Sequence, residues 1–91
     1  MELHWTAKAV SDLERLYDFL APMNKPAAVR AIQALGAAPL SLLANPRIGR
    51  KLEEFEPRDV RRILVGAYEL RYEIEGSNLY VLRVWHTRED R

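Results

Sequence analysis

Tyr68-Glu69-Leu70-Arg71-Tyr72-Glu73-Ile74-Glu75 is the stretch that decides the fold. Apolar and charged side chains alternate strictly, the two-residue period of a strand with one dry and one wet face. Gly76-Ser77-Asn78 follows as a hairpin loop. Leu79 to His86 is then the partner strand, the most apolar of the chain and suited to an interior position. Upstream, Val60 to Val65 reads as another strand, joined through a Gly66-Ala67 turn. Parity sorts the faces. Ile63, Val65, Tyr68, Leu70, Tyr72, Ile74, Tyr80, Leu82 and Val84 are expected toward a core. Arg62, Leu64, Arg71, Leu79, Val81, Arg83 and Trp85 are expected on the opposite face, with His86 at its rim. A slip of one residue in any strand would invert its assignment.

Working outward, Leu3 and Trp5 alternate with polar neighbours as a short first strand. Thr6 offers an N-cap hydroxyl. Ala7 to Leu20 has helical spacing, with Ala9, Val10, Leu13, Leu16, Tyr17 and Leu20 on the apolar side and Asp12, Glu14, Arg15 and Asp18 on the other. Pro22, Asn24 and Pro26 mark a break, and Pro26 fits the first turn of a second helix. That helix carries a stripe of Val29, Ile32, Gly36, Leu40 and Leu43 that stays in phase through Pro39. The reading is one kinked helix to about Ala44, ended by Asn45-Pro46. Lys51 to Asp59 is a polar connection with room for a short edge strand, and Glu53, Glu54 and Glu56 read as a solvated acidic run. The order is β-α-α-β-β-β. It predicts an α+β fold, a small, mainly antiparallel sheet with two helices packed on one face, as a single domain over residues 1–91.

Composition narrows the function classes. The net charge of +1 gives no global footprint for nucleic acid, so any basic patch must come from geometric sorting. Cysteine is absent, which excludes disulfides, thiolate chemistry and cysteine-ligated zinc. His4 and His86 are the only histidines, and no metal or cofactor is expected. No secretory leader or bilayer-length apolar run is evident, so the expected location is cytoplasmic.

A sheet face holding several guanidinium groups suits a phosphate-bearing partner or an acidic peptide. Arg71 sits among Glu69, Glu73 and Glu75, which predicts cross-strand ion pairing of the arginines with these carboxylates. Arg83 interrupts an apolar strand and must be either paired or functional. An imidazole such as that of His86 is the side-chain type suited to general acid–base work, and Trp85 offers a stacking surface. No Gly-rich phosphate loop and no Ser/His/Asp arrangement is present.

These residues resemble the RelE/ParE superfamily, the toxic halves of bacterial type II toxin–antitoxin pairs. The resemblance runs through Leu3-His4-Trp5-Thr6, Ala9, Asp12-Leu13 and Tyr17, then Pro26-Ala27-Ala28 and Asn45-Pro46-Arg47-Ile48-Gly49-Arg50. It is fullest in Arg61-Arg62-Ile63-Leu64-Val65, Tyr68-Glu69-Leu70-Arg71-Tyr72 and Val81-Leu82-Arg83-Val84-Trp85-His86. It implies a growth-inhibiting toxin neutralised by a cognate antitoxin. The target is either ribosome-bound mRNA, cut without a metal, or DNA gyrase. Under the nuclease form the resemblance makes Arg62, Arg83 and His86 the catalytic candidates. Arg50, Lys51, Arg71, Trp85 and Arg88 are the candidates for substrate or partner binding. Thr87 stands where some nucleases have tyrosine, and Lys51 alone remains of the closely spaced lysines of RelE itself. The wording of Trp5-Thr6 and Trp85-His86 is more similar to ParE-like members. A non-toxic peptide-binding module with the same fold is the alternative.

Overall fold

The structure, a computed structural model, describes residues 1–89. Its elements are β1 (Glu2–Trp5), α1 (Ala7–Leu20), α2 (Lys25–Leu42), β2 (Arg50–Lys51), β3 (Asp59–Val65), β4 (Tyr68–Glu75) and β5 (Asn78–His86). Two short 3-10 turns, Pro46–Ile48 and Glu53–Phe55, flank β2. The strands form one sheet in the order β1-β5-β4-β3-β2, antiparallel except for the parallel pair β1 and β5. The α+β reading and the element order hold, with β2 as the short edge strand for which the connection left room.

Local chemistry starts both helices. The Thr6 hydroxyl accepts the Ala9 N–H at 3.2 Å, and the Asn24 side chain accepts the Ala27 N–H at 3.0 Å. Each bond satisfies a donor that the helix cannot pair internally. Pro26 falls in the first turn of α2, and Pro39 lies inside that same continuous helix.

The core lies between the helices and one sheet face. Ala9, Leu16, Leu35, Leu42, Leu70, Tyr72, Ile74, Leu79, Val81 and Val84 form it, with Leu3, Trp5, Ile63, Val65 and Tyr68 packed around. Burying a side chain such as Leu35 or Leu70 contributes about 1.5–3 kcal/mol. Burial on α2 falls on Ala28, Leu35, Pro39 and Leu42. The expected stripe is therefore rotated: Val29, Gly36 and Leu40 are exposed, while Ile32 and Leu43 sit at its margins. A helix apolar on nearly every side carries little phase information.

β5 departs from simple alternation. Tyr72 pairs with Val81 but Arg71 pairs with Arg83, so Leu82 is an extra residue and β5 is bulged. The bulge inverts parity along the strand. Leu79 and Val81 face the core, contrary to expectation, and Tyr80 and Leu82 do not. Beyond the bulge Val84 faces in and Arg83 faces out, as the alternation predicted.

Candidate functional site: an arginine row on the outer sheet face

Directly opposed residues in adjacent antiparallel strands share a face. Arg50 opposes Arg62, Arg62 opposes Arg71, and Arg71 opposes Arg83. Four guanidinium side chains thus run in a row across β2, β3, β4 and β5, on the face turned away from the helices. Strands lie about 4.8 Å apart, so like charges are held close, which is costly unless carboxylates intervene.

Two carboxylates do. Glu69 is buried, and its oxygens lie 3.4 Å from Arg62 Nη1 and 3.4 Å from Arg71 Nη2. Asp12 comes from α1. Arg83 donates to it from Nε at 2.8 Å and from Nη2 at 3.2 Å. The Val84 N–H at the bulge donates to the same carboxylate at 2.9 Å, and Arg15 Nη2 adds a bond at 3.3 Å. Burial pushes the Asp12 carboxyl up, but these donors outweigh it and hold the group below its ordinary value. The bond to Asp12 raises Arg83 in turn. The sequence placed Asp12 on the solvated side of α1. The structure corrects this: Asp12 is only 4% exposed and supplies the pairing that the sequence left open for Arg83.

The row also stacks. Arg71 lies between the Phe55 ring at 5.2 Å and the Trp85 ring at 4.7 Å, and Arg83 lies 5.5 Å from Trp85. Such contacts hold a guanidinium over an aromatic quadrupole. Arg71 Nε is buried with no hydrogen-bond partner among the described residues. Phe55 reaches the sheet from the 3-10 turn Glu53–Phe55, and Arg58 closes the end by a two-bond pair with Glu73 at 2.8 and 3.0 Å. The outer face is therefore covered at this end rather than left open, and the acidic run is not merely solvated. The one available signal was a single aromatic, Phe55, set among three glutamates.

The rim of the row is pinned from beneath. Tyr72 donates its hydroxyl to the Pro46 carbonyl at 2.6 Å and accepts the Gly49 N–H at 3.0 Å. Burial raises the hydroxyl above its ordinary pKa, so it stays protonated as a donor. Gly49 must be glycine for reasons of space: a Cβ would come within 2.4 Å of the Tyr72 hydroxyl and 2.9 Å of the Arg62 carbonyl. Arg61 fastens the same turn, donating to the Arg47 and Gly49 carbonyls at 3.0 and 3.1 Å.

The remaining candidates separate. Trp85 belongs to the row. Lys51, one residue along β2 from Arg50, pairs with Glu56 at 3.5 Å. His86 is not at the rim of the arginine face. It follows Trp85 by one residue and opposes Tyr68, whose side chain packs on the core. Its ring lies 5.3 Å edge-on to Tyr68, and its Nδ1 accepts the Arg88 N–H at 3.0 Å. The structure thus brings Arg50, Arg62, Arg71, Arg83 and Trp85 together and puts His86 and Arg88 on the helix side. Chemically, the row can hold an anionic, acceptor-rich surface.

A family model describing the ParE toxin of the type II toxin–antitoxin system, parDE, matches residues 3–91. The chain belongs to this family. Toxin RelE1 of Caulobacter vibrioides is 33% identical over 90 residues, covering 94% of this chain and 92% of that protein. A chain of the chromosomal ParDE TA system from P. aeruginosa superposes with a TM-score of 0.74 at 28% identity, covering 94% and 95% of the two chains. Sequence and fold therefore agree on a toxin of the RelE/ParE superfamily, the toxic half of a type II pair. In this ParE-family chain no helix of the described residues is long and apolar enough to cross a membrane.

Proposed function

We propose that this ParE-family toxin arrests growth by gripping DNA gyrase through the arginine row, without cutting RNA, and that a cognate antitoxin silences it. One observation supports the choice of target. The sheet separates His86 from Arg62 and Arg83, so the acid–base candidate and the phosphate-binding candidates do not converge on one point. Phosphodiester cleavage needs both within hydrogen-bond reach of the same group. A binding surface needs only the row.

The row itself favours a second reading. Three of the four guanidinium groups, Arg62, Arg71 and Arg83, share two carboxylates, an excess of cation that also suits a scissile phosphate on ribosome-bound mRNA. Expression without antitoxin, followed by parallel assay of mRNA integrity and chromosomal supercoiling, separates the two. Under the gyrase reading growth stops, mRNA stays intact and supercoiling falls, and His86→Ala retains toxicity. Site-specific mRNA cuts with unchanged supercoiling would overturn it. In that case Arg62→Ala and Arg83→Ala should each lower cleavage by about 10²–10³.

A further inference from the structure

The other side of β5 holds a cleft that the arginine row does not use. It has a volume of about 500 Å³ and lies between the end of α1 and the end of the sheet. Leu16, Phe19, Leu20 and Tyr68 give it apolar walls, and His86 and Arg88 stand with them. Phe19 is 68% exposed, a large apolar ring held in water. A half-open apolar cavity with a few polar groups at its edge is the usual form of a binding pocket.

The polar groups around it are unevenly spent. Glu89 is the carboxylate of the cleft, and both its oxygens are engaged: one accepts the His86 N–H at 2.7 Å, the other an Arg15 Nη1 donor. Arg15 is further tied to Asp12 and to the Val84 carbonyl, each at 3.3 Å. Three donors are uncommitted among the described residues. His86 accepts at Nδ1, so its neutral ring carries the proton on Nε2, and that N–H has no partner. The Tyr68 hydroxyl and the Arg88 guanidinium have none either. Apolar walls with spare donors and a spent acceptor select an occupant that is apolar at its end and anionic beside it.

We propose that this cleft is an anchor pocket for an acidic segment of a partner protein. The segment inserts one bulky apolar side chain between Phe19, Leu20 and Tyr68 and presents an adjacent carboxylate to Arg88 and His86. The inference rests on neither reading of the target, because it uses the opposite face of the sheet. The test is an amide NMR titration of the isotope-labelled full chain with N-acetyl-Ala-Phe-Glu-Ala-amide. Shifts should concentrate on Leu16, Leu20, Tyr68, His86 and Arg88. Replacing the peptide's Phe by Ala, or its Glu by Lys, should weaken binding about tenfold, the effect of one charge-assisted hydrogen bond or one lost anchor. Arg88→Glu should reverse the preference toward the Lys peptide, and Arg88→Gln should weaken the Glu peptide without reversal. Shifts elsewhere, or equal binding of the Glu and Lys peptides, would overturn the proposal. So would 4-phenylbutyrate binding as tightly as the peptide, which makes this a small-molecule site. Sedimentation of the free chain as a dimer with these amides shielded would assign the cleft to a second copy instead.

Discussion

The two faces of this sheet are stabilised by different physics. The buried core on the helix face is apolar, and its tyrosine, Tyr72, has both hydrogen bonds satisfied. The outer face crowds four arginines and offsets their repulsion with Glu69, Asp12 and flanking aromatic rings. The first arrangement is a matter of shape, the second of pairing. Stability is therefore insured mainly on one side, while the other can keep an excess of donors for a partner.

The comparison breaks most visibly if the core is hollowed. Leu35→Ala should lose about 2–5 kcal/mol in urea denaturation, while the exposed Leu40→Ala on the same helix should stay within about 0.5 kcal/mol. Next in size is the link between the faces. Asp12→Ala strands the Val84 N–H and a half-exposed Arg83, and should cost about 2–3 kcal/mol. The same carboxylate sets an acid limit. Its folded pKa lies below the unfolded value of about 3.9, so its contribution is complete above that pH and is lost as pH falls through the folded pKa. Asp12→Asn should flatten that part of a stability–pH curve measured by thermal melts.

Gly49→Ala should cost about 1–3 kcal/mol by forcing apart Tyr72 and the Arg62 backbone, and Tyr72→Phe should partly rescue it. Glu69→Gln should cost about 1 kcal/mol by leaving Arg62 and Arg71 opposed, and added salt should shrink the loss. The smallest effect on stability tests function. Arg50→Ala, on an exposed edge strand, should change stability by less than about 0.5 kcal/mol yet lower toxicity in an expression assay.

Legibility in the sequence followed the strength of the pattern. β4 could be read residue by residue because its alternation is strict. The cap at Thr6 and the start of α2 were also legible, since an N-cap Thr and a first-turn Pro carry their own local chemistry, although Asn24 read only as a turn residue and is in fact the cap of α2. α2 was legible in length but not in rotation, because apolar residues surround it. β5 was misread over Leu79 to Leu82, where both faces are apolar and an extra residue leaves no compositional trace. Within the site, parity found Arg62, Arg71 and Arg83 together. Asp12 was missed, since a carboxylate on an amphipathic helix reads as solvated unless its partner, 71 residues away, is known.

Period and capping chemistry by themselves determined the main elements, their order and the faces of Arg62, Arg71 and Arg83, because these depend on neighbours two to four residues away. Tertiary structure alone decided the bulge that moves Leu79 and Val81 inward, the burial of Asp12, the Phe55 and Trp85 rings around Arg71, and the separation of His86 from the row. Those depend on which distant segments meet, and the physical reason is plain: a β-strand changes the facing of every later side chain with one inserted residue.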